Sequence, residues 1–271
     1  MEIRGIDFSG GQRPGDDIWI AEGHFEGETL RIDRCQSAAQ RFDGTGRERI
    51  LQELRETLGR ADGTTGLDFS FGLPAALLPD GVGTWTDATR WFAETFAGVD
   101  ATEMRDRLKS EARSLPGDGV ELKRRTDRTV GASSPYSFIT YYQTLYGIRD
   151  VLAPLVESES VAIPPVGPGG RRNLIEIYPA GTLRRLGTTD TKYKDGADGA
   201  ERRRERIVDR LTAPDAGITV ELPATVRETT LGEPGGDALD SVVAAVATAR
   251  AVDSAFEADR PFDAREGHIY I

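Results

Sequence analysis

Five acidic residues lie where a carboxylate is otherwise unfavourable, at the ends of apolar segments. Asp7, Asp68 and Glu176 each stand between two apolar residues in a short strand-like run. Asp237 and Asp240 lie three residues apart at the start of an apolar helical segment, and therefore on one face of it. Burying an unpaired carboxylate is costly, and a metal ion offsets that cost by drawing carboxylates together. The pattern predicts a site for a hard, oxygen-ligated divalent metal ion.

Each of these acids also has a purely structural explanation. Asp237 could cap the helix that follows it, and Asp7 and Asp68 could be turn formers that hydrogen-bond to Gly-rich loops. Glu176 could form an ion pair with a nearby arginine, for which the sequence offers Arg171, Arg172 and Arg184. The coincidence of several acids at separate strand and helix ends is what favours a shared site.

Two of the acids occur in similar phrases. Residues 5–10 read Gly-Ile-Asp-Phe-Ser-Gly, and residues 66–72 read Gly-Leu-Asp-Phe-Ser-Phe-Gly. In both, a strand ends in an acid, a small residue and a glycine. If the two strands are parallel neighbours, their carboxyl ends face a common crevice, and Asp7 and Asp68 lie at the same edge of the sheet.

The elements that must position these acids follow from the apolar periodicity. Alternation predicts strands over residues 3–8, 18–25 and 29–35, joined as an antiparallel meander. A helical period predicts a helix over 47–60, and a short buried strand follows at 66–70. Three antiparallel strands, a crossover helix and a strand parallel to the first begin the ribonuclease H topology.

The remaining elements complete an α/β fold. Residues 81–157 read as a helical insertion beside the sheet, within a single domain that spans residues 1–271. Residues 173–178 predict a buried strand, and residues 235–256 predict the last long helix. We therefore expect a ribonuclease H-like mixed sheet, an antiparallel triplet extended by parallel strands and flanked by helices.

The composition excludes several other kinds of site. Cys35 is the single cysteine, so no intramolecular disulfide can form, and two distant histidines cannot build a zinc site of ordinary spacing. Hydrophobic residues make up 38% and charged residues 29%, with no apolar run long enough for a membrane helix. No signal-peptide pattern opens the chain. We expect a globular, cytoplasmic protein without a membrane span.

The charge balance is strongly acidic. The formal net charge is −11, and only four basic residues are lysines, which is typical of proteins from salt-adapted organisms. Residues 101–210 are locally more basic than acidic and could contact phosphate. An exposed helical face rich in Arg–Glu pairs, as at residues 201–206, explains the same excess equally well.

Four phrases resemble the predicted ribonuclease H-like nuclease family, catalogued as domain of unknown function 429. They are residues 5–10, 68–74, 175–180 and 237–245, so the resemblance extends from the first strand to the last helix. It implies a ribonuclease H fold and a metal-dependent phosphodiesterase. Asp237 and Asp240 are also similar to the paired aspartates on the last helix of RuvC-type resolvases.

The resemblance implies two-metal hydrolysis of a phosphodiester. Asp7 would bridge two Mg²⁺ or Mn²⁺ ions about 3.5–4 Å apart. Asp68 and Asp240 would each complete the coordination shell of one ion. Asp237 or Glu176 would add a ligand or orient the attacking water.

The groups expected to contact phosphate lie in two places. Ser9 and Gly10 belong to the Gly-rich turn after the first strand, and the insertion supplies the basic residues Lys123, Arg124, Arg125 and Arg128. Nucleic acid is the partner that these groups would serve. Nothing in the sequence predicts the oligomeric state.

Two other functions are compatible with the same core. Nucleotide-binding proteins of the actin and sugar-kinase class share this topology and cradle phosphate in a Gly-rich turn, here residues 9–11. Such proteins usually duplicate the core across two lobes, and this chain is short for that. A non-catalytic scaffold could instead use aromatic residues as a partner surface, although such residues more often belong to the core: Trp85, Trp91, Tyr136, Tyr141, Tyr142 and Tyr146.

Overall fold

A mixed sheet forms the centre of the protein. The computed structural model describes residues 1–117, 119–194, 197–214 and 217–271. The strands are β1 (Glu2–Asp7), β2 (Trp19–Glu26), β3 (Thr29–Ser37), β4 (Gly63–Leu67), β5 (Arg172–Ile177), β6 (Thr219–Glu221) and β7 (Ile269–Tyr270). Their order in the sheet is β6-β3-β2-β1-β4-β5-β7.

The strand directions confirm the predicted fold class. β2 is antiparallel to both of its neighbours, β1 and β3, which gives the antiparallel triplet. β4 pairs in parallel with β1, β5 with β4, and β7 with β5. β6 adds a further parallel strand beside β3. The five strands β3-β2-β1-β4-β5 therefore have the order and directions of the ribonuclease H-like sheet.

Helices cover both faces of the sheet. They are α1 (Pro14–Asp17), α2 (Ala38–Phe42), α3 (Arg47–Arg60), α4 (Trp85–Thr95), α5 (Ala101–Ser114), α6 (Arg125–Val130), α7 (Tyr141–Gly147), α8 (Ala153–Glu157), α9 (Pro179–Arg185), α10 (Ala200–Leu211), α11 (Ala224–Gly232) and α12 (Asp237–Asp253). A 3₁₀ turn (Ala75–Leu77) precedes α4, and a π-helical segment (Ile148–Leu152) joins α7 to α8. No helix among the described residues combines the length and the apolarity needed to cross a bilayer.

Most predicted elements agree with the structure, and the differences are local. The strand predicted at 66–70 is β4, which begins earlier and ends at Leu67, so that Asp68 follows the strand. The helix predicted from residue 136 begins at Tyr141. Strand β6 and helices α9 and α11 were not predicted, because short elements carry too few residues for a clear period.

The helices between β4 and β5 share one hydrophobic core with the sheet. Ile6 and Leu67 point into this core together with Leu54 of α3. Phe92 of α4 and Leu145 of α7 belong to the same cluster. The segment predicted as an insertion therefore packs directly on one face of the sheet.

Helix α12 packs closely against the opposite face. Gly5 of β1 and Gly66 of β4 are paired in register. A Cβ atom on Gly5 would lie 2.1 Å from the backbone nitrogen of Ala245, and one on Gly66 would lie 2.1 Å from Oγ1 of Thr248. Both glycines are required because the helix backbone approaches the strands too closely for any side chain. This contact fixes α12 across β1 and β4.

Candidate metal centre

Three carboxylates converge where β1 ends and α12 begins. Asp7 is the last residue of β1, and Asp237 and Asp240 belong to the first turn of α12. One oxygen atom from each of the three lies within 4.8 Å of the others. Asp7 is 8% exposed and Asp240 is 4% exposed. The three acids, hereafter the carboxylate cluster, form a mostly buried group of hard oxygen donors.

The local backbone explains why these side chains meet. Asp7 lies two residues after Gly5 and therefore points to the same face of the sheet, toward α12. Gly236 adopts a left-handed φ of 83° immediately before the helix, and its carbonyl accepts the amide of Asp240 at 2.9 Å. The positive end of the helix dipole also favours acids in this first turn.

Asp68 lies beside the cluster and not within it. It follows β4 directly, and its amide donates to the carbonyl of Ile6 at 3.0 Å. Its charge is close enough to raise the pKa of Asp7, yet it is not one of the three acids that lie within 4.8 Å of one another. Of the three predicted ligands, Asp7 and Asp240 meet, and Asp237 is the third member of the group.

Burial and mutual repulsion make these acids hard to ionise. Burial raises the pKa of Asp7 well above its usual range, the neighbouring Asp240 raises it further, and Lys194 lowers it. Burial, followed by the charge of Asp240, likewise raises the pKa of Asp68. Carboxylates perturbed in this way are typical of functional sites, although structural networks also produce them.

Lys194 and Tyr193 complete the centre. The Lys194 ammonium lies 2.8 Å from Asp240 Oδ2 and 3.1 Å from Asp237 Oδ1. The buried Tyr193 hydroxyl donates to Asp240 Oδ1 at 2.8 Å. Burial alone would lower the pKa of Lys194, but the surrounding carboxylates, Asp240 first, outweigh that effect and raise it.

Sequence reasoning missed both residues, because they lie in a polar loop without periodicity. One signal was present, namely a lysine in a chain whose other basic residues are almost all arginine. The ammonium shows that the carboxylate cluster accommodates a positive charge. Its all-oxygen donor set fits Mg²⁺ or Mn²⁺.

Asp17 extends the acidic region toward the solvent. It ends α1, and burial together with the charge of Asp237 raises its pKa. The sequence analysis did not single it out, because it belongs to a polar loop with no neighbouring apolar run.

Glu176 belongs to a separate buried network. Its two carboxylate oxygens accept from the Arg124 guanidinium at 2.7 and 2.5 Å, and one of them also accepts the amide of Phe71 at 2.9 Å. Asp127 binds the same guanidinium. The structural explanation of Glu176 as the partner of an arginine therefore agrees with the structure, although that arginine is Arg124 and none of the three named in advance.

Arg124 does not lie where a phosphate could reach it. The residue is 0% exposed, and its guanidinium is engaged by Glu176, Asp127 and the carbonyl of Glu266. We had expected it to contact phosphate. It instead holds β5, α6 and the segment before β7 together, because a buried guanidinium requires partners for all of its donors.

The other predicted phosphate contacts are dispersed. Arg125 and Arg128 are exposed on α6, which packs against β7, three strands away from β1, and the half-buried Lys123 precedes them. Ser9 lies close to the cluster, and its Oγ accepts the amide of Gly11 at 3.2 Å. A Cβ atom on Gly10 would lie 2.3 Å from the carbonyl oxygen of Tyr142, so packing alone requires this glycine.

Comparisons with known proteins add a family match over part of the chain. No curated protein and no solved structure matches the chain. A family model described as "Protein of unknown function (DUF429)" matches residues 151–262, which is less than half of the chain. The phrases around Asp7 and Asp68 lie outside that segment. The chain is thus similar to this uncharacterised family over the region that carries Glu176, Lys194, Asp237 and Asp240.

Proposed function

We propose that the protein is a divalent-metal-dependent phosphodiester hydrolase that acts on nucleic acid. The observation that carries this proposal is the convergence of Asp7, Asp237 and Asp240 at one strand end of a ribonuclease H-like sheet. A cluster of buried like charges destabilises a protein, so its presence calls for a cation. The partial match to an uncharacterised family is compatible with this function and does not specify it.

The chain's own residues would divide the work as follows. Asp7, Asp237 and Asp240 would hold Mg²⁺ or Mn²⁺, which when bound supplies a Lewis acid for the phosphate and a more acidic water. Asp68 stands beside the cluster with a raised pKa, so it is suited to accept a proton from the attacking water. The Tyr193 hydroxyl would keep Asp240 in its orientation.

Lys194 would have a second task. Its ammonium pairs with Asp237 and Asp240, the same oxygens that a metal ion needs. It therefore has to leave these carboxylates when the ion binds. From the same loop it could then neutralise the phosphate of the substrate.

Asp7→Asn is the decisive variant. Wild type and variant would be assayed at high salt with Mg²⁺ or Mn²⁺ on single-stranded DNA, RNA, duplex DNA and a branched junction. We expect the variant to lose more than about 100-fold in cleavage rate, since even loss of an outer-shell partner costs 10–100-fold. Its Mn²⁺ affinity, measured by titration calorimetry, should fall in parallel.

Two controls separate chemistry from folding. Asp43→Asn changes a carboxylate outside the cluster at a left-handed position, φ 52°, that asparagine tolerates, and should cleave like wild type. Asp7→Asn itself should unfold at a higher temperature than wild type in EDTA, because a buried charge is removed. The proposal fails if wild type cleaves none of the four substrates, and a thermal shift with ATP would then favour the nucleotide-binding alternative.

A further inference from the structure

Exposed apolar side chains are concentrated in one segment. Among the described residues, four large hydrophobic side chains are strongly exposed. One is Met1, and the other three are Phe138 at 73%, Ile139 at 72% and Tyr142 at 38%. A contiguous apolar patch of this kind marks a binding surface more often than a scattered exposed residue does. Residues 138–142 are called the aromatic rim below.

The aromatic rim lies beside the carboxylate cluster. The backbone of Gly10 packs directly against the carbonyl of Tyr142. The side-chain amide of Gln143 donates to the carbonyl of Phe8 at 2.5 Å. Phe8 is the residue after Asp7, so these contacts attach the rim to the end of β1.

A cavity of about 190 Å³ opens between the rim and the sheet. Ile139, Thr140 and Gln143 line one side of it, and Asp68 and Ser70 line another. Asp68 therefore belongs to the wall of this cavity and also raises the pKa of Asp7. A group bound in the cavity would be adjacent to a phosphate held at the carboxylate cluster.

The chemistry of the rim suits a nucleobase. The rings of Tyr141 and Tyr142 have centroids 4.5 Å apart, and Phe138 lies 6.4 Å from Tyr141. The Arg105 guanidinium lies 5.9 Å from the Phe138 ring centroid and 5.4 Å from that of Tyr141. Exposed aromatic faces that carry an arginine are the usual platform for unpaired bases, since the rings stack and the guanidinium attracts the backbone.

The cavity adds groups that can recognise the edge of a base. Its polar lining includes the hydroxyls of Ser70, Ser133 and Thr140 and the amide of Gln143. Hydroxyl and amide groups both donate and accept, as the edges of bases require. Stacked bases inside a duplex could not reach such a recess, because their faces and edges are occupied.

We propose that this cavity binds an unstacked nucleobase, so that the substrate is a single strand or a locally opened region of nucleic acid. The rim stacks on a neighbouring base while the attached phosphate lies at the carboxylate cluster. The inference rests on the proposed function for the cleavage that follows, but the binding of the base can be measured without it.

Binding would be measured in EDTA by fluorescence anisotropy. The probes are a labelled 12-nucleotide single-stranded DNA, its RNA counterpart, the same DNA with abasic sites in place of its central bases, and the matched duplex. Phe138→Ala and Ile139→Ala remove exposed side chains and should fold normally. Val252→Ala is the control, since it shortens a half-buried aliphatic side chain at the other end of α12, about 22 Å from Asp237.

We expect wild type to bind the single strands at least about 10-fold more tightly than the duplex. Each rim variant should lose about 10-fold with the intact single strand, whereas Val252→Ala should lose nothing. The abasic strand should weaken wild type similarly and the rim variants no further. Equal binding of duplex and single strand, or rim variants that bind like wild type, would overturn the proposal and leave a protein partner as the occupant of the rim.

Cleavage assays with Mn²⁺ on the same probes separate the two proposals. Base-dependent binding without cleavage supports the base site and contradicts the hydrolase. Equal cleavage of duplex and single strand by wild type and both rim variants supports the hydrolase and contradicts the base site.

Discussion

The ammonium nitrogen of Lys194 lies 2.8 Å from a carboxylate oxygen of Asp240, a residue that follows it by a whole helix-loop-helix segment in the sequence. Lys194 therefore acts as an internal counter-ion for the carboxylate cluster. An internal cation and a metal ion compete for the same oxygens, so the strength of one limits the affinity for the other. This competition gives the centre a property that can be measured directly.

Lys194→Met should bind Mn²⁺ more tightly than wild type, by about 10-fold, because the ion no longer has to displace charge-assisted hydrogen bonds. In EDTA the same variant should unfold at a lower temperature, since the acids lose their counter-ion. Titration calorimetry and thermal denaturation measure the two effects. Lys192→Met, an exposed lysine in the same loop, is the matched control and should resemble wild type in both. An unchanged Mn²⁺ affinity in Lys194→Met would show that the ammonium does not compete with the ion.

Arg124→Gln should destabilise the fold by about 3–5 kcal/mol, because it leaves the buried carboxylates of Glu176 and Asp127 without their partner. Urea denaturation measures this loss. Arg128→Gln, on the exposed side of the neighbouring helix, should change stability by less than about 0.5 kcal/mol. A variant at Arg124 that kept full stability and bound nucleic acid less tightly would instead restore the phosphate contact that we had expected from the sequence.

Gly5→Ala should destabilise the protein by about 3 kcal/mol or prevent folding, since the new methyl group would meet the backbone of α12. The expected readouts are the yield of soluble protein and the midpoint of urea unfolding. Gly83→Ala places a methyl group in open space and should be tolerated. Normal stability of Gly5→Ala would mean that α12 can move away from β1, and the carboxylate cluster would then not be fixed by packing.

His268 should make stability depend on pH. Burial lowers the pKa of His268 to about 4, whereas an unfolded histidine has a pKa of about 6.5. Between these values the unfolded state binds the proton and the folded state does not. The free energy of unfolding should therefore fall as the pH falls from about 6.5 to about 4, by up to about 3 kcal/mol.

His268→Phe should remove this part of the pH dependence, since phenylalanine does not titrate and can pack between Phe262 and Tyr270. Urea unfolding of wild type and variant at pH 7 and pH 4.5 gives the comparison. His24→Gln changes an exposed histidine and should keep the wild-type loss of stability at low pH that His268 causes. The same slope in wild type and His268→Phe would contradict the assignment.

Much of the sheet could be predicted from the sequence because its signals are local. Alternating apolar residues placed β1, β2 and β3, and helical spacing placed α3 over Arg47–Arg60. The similar phrases around Asp7 and Asp68 correctly indicated neighbouring strand ends. Their glycines proved as informative as their acids, because Gly5 and Gly66 admit the helix that carries Asp237 and Asp240.

By itself, then, the sequence determined the class of fold and the acids at the ends of its elements, since both are written in short-range patterns of polarity. Only the tertiary structure decided which of those acids meet. It placed Glu176 with Arg124, left Asp68 at the edge of the cluster and brought Lys194 from a featureless loop onto Asp240. Those partners are distant in sequence, and their distances depend on how helices and loops pack, which local patterns do not encode.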